Sequence, residues 1–189
     1  MPKIADIQET PNPNAVKFIL KEPVSYGTSH SFKAEADALN DTLAKSLFDV
    51  GSVVSVFYMD KMITVEKTDE AEWDEILPAL AVPIRAAESV KSTNGNGSSV
   101  AKSIGGAIAV AASDDPRLRE IDALLDERIR PYLAGDGGWL EIVELVDHTL
   151  RIRYEGACGS CPSSLTGTLM AIENMIKDEI DPEIEVVAV

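Results

Sequence analysis

The sequence predicts an α+β protein: two small α/β-sandwich-type domains joined by a flexible linker. Three observations carry this. Lys91-Ser92-Thr93-Asn94-Gly95-Asn96-Gly97-Ser98-Ser99 is Gly, Ser and Asn without an apolar anchor, the composition of a flexible linker. Short β-branched runs bounded by turn residues lie on both sides of it. Between those runs, apolar residues recur every three or four positions, the spacing of helices that cover a sheet. The expected division is residues 1–91, a linker at 92–113, and residues 114–189.

In the first domain, residues 3–10 read as a strand. The turn Pro11-Asn12-Pro13-Asn14 and a second strand at 15–20 follow. Leu39, Leu43 and Leu47 give residues 35–48 helical spacing, with Gly51 as a stop. Residues 53–59 and 62–67 flank Asp60-Lys61 as a hairpin. Residues 70–88 form a helix with Trp73, Ile76, Leu77 and Leu80 on one side, which Pro78 and Pro83 should kink or divide. This half has no cysteine, and His30, beside Ser29 and Ser31, reads as a solvated loop residue.

Residues 100–112 are small and weakly apolar, suiting more linker or a short helix docked on one domain. Asp114-Asp115-Pro116 then supplies an acidic cap and a first-turn proline. Leu118, Ile121, Leu125, Ile129 and Tyr132 predict one amphipathic helix over 116–133, broken by Gly135-Asp136-Gly137-Gly138. Strands at 139–146 and 149–155 surround the turn Asp147-His148. In the second, Leu150, Ile152 and Tyr154 alternate with Arg151, Arg153 and Glu155. A loop at 156–164, a helix to residue 179 with Leu165, Leu169, Ile172 and Ile176 on one face, and a strand at 183–189 complete the order α-β-β-α-β.

The 189 residues carry a net charge of −15, with nine basic against fifteen acidic residues through Lys91 and eight against seventeen beyond it. Neither half offers the basic surface that nucleic acid requires. The apolar stretch 104–112 is too short and too rich in Gly and Ala to span a bilayer. The N-terminus reaches Asp6 without a long apolar run and is not the Arg/Ser-rich, acid-poor sequence of a transit peptide. A cytoplasmic location is therefore expected, or a matrix after removal of an import segment, with no membrane partner.

The chain has two cysteines, Cys158 and Cys161, in Gly156-Ala157-Cys158-Gly159-Ser160-Cys161-Pro162. Their spacing lets both sulfurs face one metal, and the start of a helix favours thiolate. Four readings stand at this level. An iron–sulfur cluster takes four thiolates, so two chains would meet loop to loop about a two-fold axis. A thioredoxin-like disulfide pair suits C-G-S-C-P, although the motif follows an antiparallel hairpin. Zinc also wants four ligands, and His148 lies ten residues upstream without a partner histidine. Two small core residues are the plainest alternative. Nearby, Asp136 reads as a turn residue, Arg151 and Arg153 as a solvated strand face, and Trp139 as a core or edge residue.

Three stretches of the second half resemble the NifU-like C-terminal domain of Nfu iron–sulfur scaffold and carrier proteins: residues 121–131, Gly135-Asp136-Gly137-Gly138, and the cysteine segment with Ile172-Glu173-Asn174-Met175 downstream. Residues 10–18, Leu47-Phe48, 53–57 and Trp73-Asp74-Glu75 resemble the Nfu N-terminal domain. The resemblance implies a [4Fe-4S] cluster bridging a homodimer through Cys158 and Cys161; two thiolates per chain also suit a [2Fe-2S] unit. It implies delivery of that cluster to apo-proteins, exchange with upstream cluster-assembly proteins, an N-terminal domain that aids partner recognition, and no catalytic turnover.

Overall fold

The computed structural model describes residues 2–88, 115–157 and 162–189, with the backbone alone at 162–166. The chain divides into two compact units, Met1–Val100 and Ala101–Val189. The linker expected at 92–113 lies outside the described residues. Both units layer helices on a sheet, the α+β architecture expected from sequence.

The first unit holds strands β1 (Ile4–Glu9), β2 (Ala15–Leu20), β3 (Ser29–Phe32), β4 (Val53–Met59) and β5 (Met62–Lys67), ordered β1-β2-β5-β4-β3 and antiparallel throughout. Val16, Phe18, Leu20, Val56, Tyr58, Ile63 and Val65 alternate along β2, β4 and β5. They meet Leu47 of helix α1 (Thr42–Phe48) and Ile76, Leu80 and Ile84 of helix α2 (Trp73–Ala86) in one core. Asp41 caps α1 by accepting the Ala44 N–H at 2.8 Å.

Three expectations change here. Residues 35–48 are not one helix: a 3₁₀ turn at Glu35–Ala38 precedes α1, because the Asp41 cap starts the helix afresh, and Leu39 is exposed. Helix α2 runs unbroken through Pro78 and Pro83. The stripe Ile76–Leu80–Ile84 packs on both sides of each proline and outweighs the missing hydrogen bonds. His30 lies in β3 rather than a loop, half-buried, its ring stacked on Tyr58 with centroids 4.5 Å apart.

The second unit begins with helices α3 (Pro116–Arg128) and α4 (Arg130–Gly135), where one helix was expected. Pro131 explains the break, since it disfavours helical backbone in the residue before it and lacks an N–H. The change of direction exposes Tyr132 and buries Leu133. Strands β6 (Gly138–Val146) and β7 (Thr149–Gly156) form an antiparallel hairpin; helix α5 (Pro162–Glu179) then leads to β8 (Glu185–Ala188), parallel to β7. Leu140, Ile142, Leu150 and Ile152 pack against Ile121 and Leu125 of α3 and Ile172 and Ile176 of α5. No helix among the described residues is long and apolar enough to cross a membrane.

Candidate functional site

Cys158 and Cys161 lie outside the described residues. What is described is the frame on either side of them. Strand β7 is the central strand of its sheet and ends at Gly156; α5 starts at Pro162, a residue suited to a helix's first turn. Because β8 runs parallel to β7, the motif occupies the β-to-α step of a β-α-β unit. This corrects the sequence-level argument against a disulfide pair, which took account of the β6–β7 hairpin but not of the parallel return.

Glycines shape the entry to the motif. Gly156 has φ +66° and pairs with Gly138 across the ladder; Gly137 has φ +77°. The Ala157 N–H donates to the Gly137 carbonyl at 3.2 Å, and Ala157 is buried. The residue before Cys158 is thus tied to the α4–β6 junction. Gly156→Ala forces a side chain into left-handed backbone and is expected to cost about 1–2 kcal/mol. Gly156→Asn should cost less, and urea denaturation of the two variants checks the order. Asp136 is the predicted turn residue: its N–H closes α4 on the Tyr132 and Leu133 carbonyls.

Sequence reasoning gave no role to Arg130. Its guanidinium is buried, donating from Nε to the Leu140 carbonyl at 3.0 Å. It also pairs with Asp122 at 2.8 Å and Asp126 at 2.6 Å, and lies 5.4 Å from the Trp139 ring centroid. One side chain therefore joins α3, α4 and the start of β6, next to the glycines that receive Ala157. No signal in the sequence marked it: the expected apolar stripe passes through Ile129 and Tyr132 and leaves position 130 on the polar side. Trp139 is half-buried under this arginine. Arg151 pairs with Glu144 at 2.6 Å on the exposed face, several residues back from the motif.

The histidine weighed beside the cysteines as a zinc ligand was His148. It sits at the opposite end of β7, roughly 25 Å from Gly156 by strand rise. There, Nδ1 is 3.6 Å from Asp181 and Nε2 3.4 Å from Glu183, the one group of metal-type donors among the described residues. Arg117 already holds Asp181 at 3.0 Å and donates to the Asp147 carbonyl at 3.1 Å, so the group closes the β6–β7 turn as an ion-pair network.

Three carboxylates of this unit are held below their ordinary range: Asp115 by the Arg117 side chain, Asp181 by the Glu183 N–H and then Arg117, and Glu173 by Lys177 and then the Val186 N–H. Their folded values lie below the unfolded ones. The stability they lend is complete above about pH 4.5 and is lost as pH falls through the folded values. In the first unit, burial lowers the His30 value despite Asp41. A histidine kept neutral by folding costs stability as pH drops below about 6.5. Acid should therefore weaken the first unit at higher pH than the second. Melting followed by residue-resolved NMR checks this: His30→Phe should remove the early loss, and Asp181→Asn should reduce the later one.

Two family models match the chain, one described as the Nfu/NifU scaffold protein N-terminal domain over residues 4–89 and one as the NifU-like domain over residues 121–187. A Homo sapiens protein named NFU1 iron-sulfur cluster scaffold homolog, mitochondrial, is 34% identical, covering 94% of this chain and 68% of its own. The Drosophila ananassae protein of the same name is 32% identical over 94% of this chain and 61% of its own. NifU-like protein 4, mitochondrial, of Arabidopsis thaliana is 33% identical over 89% of this chain and 60% of its own. The chain thus spans about three fifths of the fly and plant relatives. These names overturn the expected cytoplasmic location: all three relatives are called mitochondrial.

Proposed function

The chain belongs to the Nfu/NifU scaffold-protein family, and from that membership we propose that it is an iron–sulfur cluster scaffold that carries its cluster on Cys158 and Cys161. The observation that supports this best is the placement of the only two cysteines, three residues apart, inside the stretch that matches the NifU-like domain. One chain offers two thiolates where a cluster takes four, so the cargo bridges two chains; the family resemblance, not the thiolate count, makes it a [4Fe-4S] unit. A shared site is open to exchange. A client thiolate attacks a cluster iron, Cys158 or Cys161 leaves as thiolate, and repetition moves the cluster to an apo-protein. The role involves no catalytic turnover. Upstream assembly proteins would supply the cluster by the same exchange run inward.

Transfer tests this reading. Cluster-loaded chain mixed anaerobically with a cluster-free hydro-lyase should restore that enzyme's activity while the carrier's visible absorbance moves to the client. Restoration no faster than with free iron and sulfide would count against it.

A thiol–disulfide oxidoreductase is the second reading, and the β-α-β position of the motif favours it. In that case the iron-free chain would cycle between dithiol and disulfide and speed the reduction of insulin disulfides by dithiothreitol, which returns the pair to its dithiol form. The scaffold reading predicts no such acceleration.

A further inference from the structure

The scaffold reading leaves unsaid how a partner is held while cysteines exchange. The first unit carries a cleft of about 610 Å³ between β1 and the start of α2. Strand β1 is the sheet edge, and every residue after Ile4 in it is exposed. The Ile7 N–H donates to the carboxylate of its neighbour Asp6 at 3.0 Å, so this backbone donor points away from β2. Across the cleft stand Trp73, Asp74 and Leu77 of α2, with Trp73 Nε1 fixed on the Pro13 carbonyl at 3.0 Å. An edge strand facing a helix across an apolar trough is the geometry by which sheets accept an added strand.

Charge selects the occupant. The walls are apolar at Ile7, Pro13, Trp73 and Leu77 and acidic at Glu9 and Asp74, and no lysine or arginine lines the cleft. Lys67, the nearby cation, lies over the Trp73 ring and is engaged by Asn14. A second copy fits poorly, because pairing β1 with itself joins two strands that carry Asp6 and Glu9 and no cation to offset them.

We propose that this cleft binds an extended, positively charged segment of a protein partner, added as a strand to β1. The segment's backbone carbonyl replaces the Asp6 carboxylate at the Ile7 N–H, and the side chains of its one inward face, apolar and basic in turn, enter the trough beside Ile7 and Leu77 and meet Glu9 and Asp74. That the partner is a cluster donor or recipient rests on the scaffold reading; the binding itself does not.

The test is NMR titration of the full-length, cluster-free chain with the short peptide Val-Thr-Lys-Thr-Val-Thr-Lys, which carries valine and lysine in turn on one face, with glutamate in place of lysine as control. The expected result is shift changes confined to β1, the Trp73 indole and the first turns of α2. Ile7→Pro removes the outward donor without touching the β1–β2 ladder. That variant and Asp74→Lys should each weaken binding about tenfold or more. Shifts spread over the whole acidic surface and indifferent to Ile7→Pro would overturn the proposal, as would absence of binding or peptide-independent dimerisation through β1. Iron retained after anaerobic reconstitution of the same protein preparations separates the two ideas: peptide binding by a chain that takes up no cluster sinks only the scaffold reading.

Discussion

Replacing Cys158 or Cys161 by alanine is expected to reduce the iron and sulfide retained after anaerobic reconstitution to background. Each substitution removes one of two thiolates per chain, and so two of the four around a bridged cluster. Losing a supporting contact to a metal ligand already costs about 10–100-fold in affinity, and losing the ligands themselves costs more. Folding should be largely spared. The described core of this unit comes from α3, α4 and α5 and from the three strands of the sheet. Thermal melting of the apo variants close to that of the parent, combined with loss of bound iron, is the expected pair of results. A variant that keeps its full iron and sulfide would place the cluster elsewhere.

Arg130→Met should produce the largest loss of stability among single changes outside the apolar core. The methionine fills comparable space but abandons the Leu140 carbonyl and leaves Asp122 and Asp126, one helical turn apart, without the cation between them. Removing one partner from a buried pair costs roughly 3–5 kcal/mol, and the partial exposure of both aspartates lowers that to about 2–3 kcal/mol. For a unit of this size such a loss lowers Tm by about 10–20 °C. Arg130→Lys keeps the charge and loses the planar fork, so it should fall between the two. Because the same side chain sets the α4–β6 junction, exchange of the Ala157 amide should speed up in Arg130→Lys more than global unfolding explains. Equal stability of Arg130→Met and the parent would remove this residue from the account.

The sequence made some of this legible and left some hidden, for separable reasons. Strands β2, β4 and β5 were plain because alternation and the Asp60-Lys61 turn agree with one another. Strand β3 was missed: Ser29, His30, Ser31 and Phe32 have little apolar alternation, and it forms because Tyr58 gives His30 a stacking partner. The α3–α4 break follows from Pro131, whose local effect outranks a pattern that otherwise continues to Tyr132. The parallel pairing of β8 with β7 is a long-range fact that no local pattern encodes, and it changed how the cysteine motif is placed. At the site, two cysteines and their glycines stood out by residue type. Arg130 did not, because a buried arginine becomes recognisable only once Asp122, Asp126 and the Leu140 carbonyl are brought around it.

The central claim is that two chains share one cluster through these cysteines. The most direct measurement is anaerobic size exclusion of the reconstituted chain with light scattering, reading mass, iron and sulfide on one peak. The account predicts a brown dimer with about four irons and four sulfides per two chains. A colourless monomer without iron, or a monomer that holds a full cluster alone, would contradict it.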